Sequence, residues 1–241
     1  MSLPRLVIPE GNPEAGGSLR LGPEQAQHLR VLRLKPGAAL ELLFPHGPWR
    51  ADLASLSRES AVLRLVAPLQ EDREPPLRIE VYLPITAQLA LVDEMIPPLV
   101  ELGTSRLLPV AWERSEYDAA RTLGRMARWR KLVVGAAEQS HRSRVPTLEE
   151  PTSFAALLAC TADQRWVAHE ACSGLPNPVL GPGAIALASG PEGGITDAET
   201  VALERAGWQR VALGRSILRA VTAPVALLGA VQCDLGRSFS P

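Results

Sequence analysis

Lysine is almost missing from this chain. Of 25 cationic residues only Lys35 and Lys131 are lysine, and the rest are arginine. Arginine presents a planar fork suited to bidentate phosphate contacts and to stacking on bases. Two readings fit that bias: contact with nucleic acid, or a GC-rich coding sequence, which also fits the surplus of Ala, Leu and Pro. Cysteine is scarce too. Cys160, Cys172 and Cys233 are odd in number and widely spaced, which excludes a disulfide framework and a cysteine zinc site. They read as small buried hydrophobes, and no metal is expected. A net charge of −1 excludes a global basic field that would by itself advertise a nucleic-acid partner. No apolar run reaches the length of a membrane span. Met1-Ser2-Leu3-Pro4 lacks the basic start and apolar core of a signal peptide. The expectation is a soluble, cytoplasmic protein with no membrane partner.

What is present suffices for an ordinary core. The 241 residues are 46% hydrophobic and 21% charged, enough for one large or two ordinary domains. The charged, proline-paired stretch Gln70-Glu71-Asp72-Arg73-Glu74-Pro75-Pro76 separates two patterns. Before it come short β-like runs, Arg5–Ile8, Ala39–Phe44, Trp49–Leu53 and Ala61–Val66, interrupted by one helix from Pro23 to Leu34. This predicts a small β-barrel. After it, strands at Leu77–Leu83, Arg106–Val110, Arg165–Ala168, Ala184–Ala188 and Arg210–Leu213 alternate with helices at Leu89–Leu102, Arg121–Gln139, Thr196–Ala206 and from Thr222 to Leu235. Such alternation predicts a largely parallel sheet with helices on both faces.

Two loops carry the chemistry. Gly190-Pro191-Glu192-Gly193-Gly194-Ile195 follows the apolar run Ala184–Ala188 and precedes a helix opened by Thr196, with Glu199 three residues on in the capping-box spacing. Leu213-Gly214-Arg215-Ser216-Ile217-Leu218-Arg219 repeats the arrangement after a short strand. A glycine turn between a strand and a helix lets a ligand approach bare backbone. For the first loop alone, a tight structural turn is the other reading. It is not a P-loop, because no Lys-Ser/Thr follows its glycines, and the dinucleotide fingerprint G-x-G-x-x-G is absent.

Taken in order, these loops, Ala136-Ala137-Glu138-Gln139-Ser140-His141-Arg142, Glu101-Leu102-Gly103 before a strand, Arg114-Ser115, and His28 with Val31-Leu32-Arg33 resemble the RsmE family of SPOUT-superfamily RNA methyltransferases. The resemblance covers nearly the whole chain. It implies a PUA-like β-barrel over residues 1–72 that helps bind RNA, and an α/β, trefoil-knotted domain over residues 73–241. It implies S-adenosyl-L-methionine (SAM) as cofactor, a homodimer, and methylation of N3 of a uridine in the decoding region of 16S ribosomal RNA, within the small ribosomal subunit. A knotted methyltransferase for another RNA position, and a non-catalytic RNA-binding factor of ribosome assembly, stand as alternatives.

Against that background the residues acquire candidate roles. Leu187, Leu213, Ile217 and Leu218 offer an apolar slot for adenine, and Gly190, Gly193 and Gly214 permit close backbone approach. Ser189 and Glu192 complete the candidate cofactor set. Uracil N3 lies on the pairing edge, so the base must be unpaired, and the N3 proton must leave. Arg219 is the candidate cation for the uracil anion; Glu138 and Glu192 are candidate bases. For Glu192 the first reading is a turn residue binding loop amides. Residues 113–144 hold eight basic and four acidic side chains, a phosphate-binding face or a solvated helix face. Arg114 and Arg142 there, with His28, Arg30 and Arg33 of the barrel, are the candidate RNA contacts. His28 reads equally as a structural histidine. Ser216 stands where the family usually has Arg, Val221 where it has Glu, and Ala87–Ala90 lacks a common lysine.

Overall fold

The computed structural model describes residues 3–70, 72–170 and 183–238. They form two compact units, Met1–Glu74 with Ala137–Val145, and Pro75–Ala136 with Pro146–Pro241.

The first unit contains β1 (Arg5–Val7), β2 (Ser18–Leu21), α1 (Pro23–Val31), β3 (Ala39–Phe44), β4 (Gly47–Leu56) and β5 (Ala61–Pro68). The sheet order is β1-β3-β4-β5-β2, antiparallel except for the β1–β3 pair. The ladder along the ten-residue β4 slips at Arg50/Ala51 and again at Leu53/Ser55. Such irregularities bend a strand and raise its twist, which lets this small sheet curl around Leu40, Leu42, Phe44, Leu53 and Leu63. Pro23 opens α1 without forfeiting a needed N–H, and Ala26 and Leu29 are its buried face.

The segment 137–145 completes this unit through polar bonds. The Val7 N–H donates to Glu138 Oε1 at 2.7 Å. Arg5 pairs with Glu41 and donates to the Arg142 carbonyl, while His141 Nδ1 lies 3.3 Å from Glu41. His141 has φ 54°, and the Arg142 N–H reaches back to the Ala137 carbonyl at 3.1 Å. Together these form the left-handed stop that commonly ends a helix.

The second unit runs β6 (Arg78–Pro84), α2 (Leu89–Glu101), β7 (Arg106–Ala111), α3 (Ala119–Gln139, its last turn counted in the first unit), β8 (Thr147–Leu148), β9 (Thr152–Ser153), α4 (Phe154–Leu158), β10 (Gln164–Ala168), β11 (Ala184–Ala188), α5 (Asp197–Arg205), β12 (Gln209–Val211) and α6 (Thr222–Ser238). The sheet is wholly parallel in the order β12-β10-β11-β6-β7-β8, with β9 also on β7. A parallel sheet is covered on both faces. Accordingly β6 is buried from Ile79 through Pro84, Glu80 included. Asp93 on α2 is a second buried anchor. Arg125 and Arg128 of α3 pair with its carboxylate, and Trp129 Nε1 donates to it at 2.9 Å. Burial alone would raise this carboxyl, but those hydrogen bonds outweigh it and hold it below the ordinary carboxylate range.

Among the described residues no helix is long and apolar enough to cross a membrane, and no cluster of three or more His, Cys, Asp or Glu side chains suits a metal ion. Cys160 is buried as expected, but Cys233 is exposed, because it faces outward from α6. Cys172 lies outside the described residues.

Candidate functional site

In an open α/β sheet the natural place for a ligand is beyond the carboxyl ends of the strands. There the chains leaving β10, β11 and β12 enclose a cavity of about 560 Å³. Its walls are Ala168–Glu170 after β10, Ser189–Ile195 after β11, and Val211, Leu213, Gly214 and Ser216–Ala220 after β12, with Arg114 at one side and Ala223 of α6 below.

The first glycine loop is shaped by its own packing. The Gly194 N–H donates to the Pro191 carbonyl at 2.9 Å, closing a turn, and Gly194 itself leaves that turn at φ +75°, a conformation that favours glycine. A Cβ on Gly190 would lie 2.6 Å from Cγ1 of Ile195. Gly190 is therefore required by Ile195, as well as by any ligand. The loop ends in the capping box read from the sequence, Thr196 and Glu199 satisfying each other's backbone N–H. In the second loop, Gly214 has φ +143° and a Cβ there would meet nothing within 4 Å, so its open side belongs to the cavity. Ile217 is 80% exposed on the cavity wall, an apolar surface of the kind that marks a ligand site when it lines a cleft. Ser189 is 1% exposed, and its Oγ has no hydrogen-bond partner. A buried hydroxyl left unpaired at a cavity edge requires explanation, and a polar ligand atom supplies one.

An RNA methyltransferase domain matches residues 73–232, and an RNA methyltransferase PUA domain matches residues 21–66. The chain belongs to the RsmE family of RNA methyltransferases. It is 35% identical to the ribosomal RNA small subunit methyltransferase E of Synechocystis sp., over 96% of this chain and 78% of that protein. It is 30% identical to the Bacillus subtilis protein of the same name, over 86% and 87%. The crystal structure of the Neisseria gonorrhoeae protein of that name, bound to S-adenosyl methionine, matches with a TM-score of 0.89 at 31% identity, covering 96% of this chain and 97% of that one. The fold class is that of the family: an α/β RNA methyltransferase domain with a parallel sheet, preceded in the chain by a small PUA domain.

In this RsmE chain the cavity gathers most of the expected cofactor residues. Ser189, Gly190, Glu192, Gly193, Leu213, Gly214, Ile217 and Leu218 all line it, and so does Arg219. Leu187 does not. It is wholly buried inside β11, because a strand covered on both faces buries its apolar residues whichever way they point. Arg114, expected at RNA, is found on the cavity wall, with Nη1 donating to the Gly193 carbonyl at 2.9 Å.

Two expected residues lie away from the cavity wall. Glu138 lies in the first unit and holds the Val7 N–H. Burial, only partly offset by that bond, pushes its carboxyl up, but it lines no wall of the cavity. Arg142 is 4% exposed, its guanidinium closed on the Glu74 carboxylate through Nε at 3.0 and 3.1 Å and through Nη2. A side chain so enclosed has no surface to offer a phosphate. The basic run is also partly committed elsewhere: Arg125 and Arg128 to Asp93, and Arg130 to Glu150. In the barrel, His28 and Arg33 are exposed and Arg30 is half-buried. His169 and Glu170 line the cavity without having been expected. Their position directly after an apolar strand is the signal that points to them.

Proposed function

We propose that this chain transfers a methyl group from SAM to N3 of a uridine in the decoding region of 16S ribosomal RNA, acting as a homodimer on the small subunit. The observation that carries the reading is the cavity itself. It has the volume of a small-molecule site, an apolar wall at Leu213, Ile217 and Leu218, an unpaired Ser189 hydroxyl and the open face of Gly214. These fit a ligand with a flat apolar ring system and polar edges. SAM bound there supplies an electrophilic methyl group.

The chain's own residues do the rest. Arg219 stands exposed at the cavity, where a guanidinium stabilises the negative charge that develops on uracil as N3 loses its proton. Of the two carboxylates named as proton acceptors, Glu192 is the one on the wall, within reach of a base entering the cleft. Exposed His28 and Arg33 in the barrel give the RNA backbone a second hold. On α6, Leu227, Leu228 and Val231 are buried within the chain, while Val225, Ala226 and Ala230 stay partly exposed for a second copy.

Calorimetry with SAM tests the cofactor, and no heat at high micromolar concentration defeats it. Mapping methylated nucleosides in 16S RNA from a deletion strain, with and without the gene restored, tests the target. A missing mark anywhere but a decoding-region N3-methyluridine overturns that part. Arg219→Ala should slow single-turnover methylation while leaving SAM affinity intact.

A further inference from the structure

A capping box ordinarily ends its work at the helix it starts. The one at α5 does not. The Glu199 carboxylate is 4% exposed and spends its two oxygens in different directions. Oε2 accepts the Thr196 N–H at 2.9 Å, the ordinary capping bond. Oε1 accepts the N–H of Glu113 at 2.7 Å, from the turn that follows β7. The same turn is tied from the other side, since Thr196 Oγ1 lies 3.1 Å from Glu113 Oε2. The next residue is Arg114, whose Nη1 donates to the Gly193 carbonyl and which lines the cavity. Arg114 also packs closely on the loop: a Cβ on Gly193 would come within 3.0 Å of Arg114 Cβ.

From these bonds we infer that Glu199 is a positioning residue of the cofactor site, fastening the Glu113–Arg114 turn to the glycine loop and so fixing Arg114 on the cavity wall. The geometry calls for two acceptor oxygens on one side chain. Two backbone N–H groups point at one side chain, and only a group with two acceptor oxygens satisfies both. A carboxamide keeps one bond and turns its NH2 toward the other N–H. Because the helix cap is local, Glu199→Gln keeps the cap and releases the turn. This inference rests on the SAM reading above.

The test is calorimetric titration of SAM into the full chain and into Glu199→Gln, Arg114→Ala and the double variant. Each single change should weaken affinity about tenfold, the scale of losing one charge-assisted buried hydrogen bond. The double should be no weaker than the weaker single, because both changes undo one fastening. A merely structural role would reduce the number of competent sites and leave Kd unchanged. If the wild type binds SAM and the singles bind equally well, or if the double falls about a hundredfold, the positioning role is refuted. If the wild type itself fails to bind, the cofactor reading is what fails. Should Glu199→Gln not fold, Arg114→Ala alone decides, because Arg114 is what the fastening places: unchanged Kd there refutes the proposal as well.

Discussion

Replacing Arg142 with alanine should loosen the first unit and leave the salt dependence of RNA binding alone. Arg142 and Glu74 side chains are 5% and 10% exposed. Glu74 also accepts the N–H groups of Ser143 at 2.8 Å and Arg144 at 3.0 Å. Breaking a buried pair by deleting one partner costs about 3–5 kcal/mol. Glu74 would keep two donors, so the lower figure applies, about 3 kcal/mol. For a domain of this size each kcal/mol moves Tm by roughly 4–8 °C, giving a fall of about 12–24 °C. Thermal unfolding followed by circular dichroism measures it. RNA affinity should be read in parallel against salt, at a temperature where the variant is folded. Removing a side chain that neutralises one phosphate flattens the log–log slope by about 0.7–0.9, and here the slope should not change. A Tm change under about 4 °C, together with a slope flattened by one phosphate, would show Arg142 to be an RNA ligand and the buried pair to be unimportant.

Gly190→Ala should lower Tm, since its methyl must displace Ile195 from 2.6 Å; overpacking of this kind costs about 1–3 kcal/mol, and an unchanged Tm would contradict it. Gly214→Val, by contrast, should mainly abolish SAM binding in calorimetry, because its side chain enters the open cavity from a backbone at φ +143°. Asp93 has a folded-state pKa below its unfolded one, so its contribution is present above the ordinary aspartate range and disappears as pH falls through the folded value. Asp93→Asn should flatten the acid limb of Tm against pH, and an unaltered limb would count against it. Glu138 is shifted the other way, so its ionisation burdens the fold as pH rises from the unfolded to the folded value. Glu138→Gln keeps an acceptor for Val7 N–H and should be at least as stable at neutral pH; a less stable variant would show the charge to be needed.

The α/β alternation is legible in the sequence because parallel strands are short apolar runs bounded by turns, and β11 occupies the very run that marks it, Ala184–Ala188. The strand β2 is not legible, since Ser18–Leu21 is mostly exposed and carries no clean period. The two-residue strands β8 and β9 are set by register on β7 alone. The site loops are marked by their glycines, but the parity of β11 is hidden. Leu187 and Ser189 both face regions the chain buries, and only the fold shows that Ser189 reaches the cavity. Among arginines the sequence is blind. Arg142 and Arg144 sit two apart, and it takes Glu74, distant in the chain, to enclose the first and leave the second exposed.

The first unit is assembled from two separate stretches of sequence, Met1–Glu74 and Ala137–Val145. During synthesis, then, the barrel emerges with Glu74 facing no guanidinium and the Val7 N–H facing no carboxylate. Residues 75–136 must be made before those partners exist. Translation order therefore delays completion of the N-terminal unit until residues 75–136 of the second have been made. A gene fragment ending near residue 74 encodes a sheet without its clasp, whereas one ending just past Val145 encodes the clasp as well.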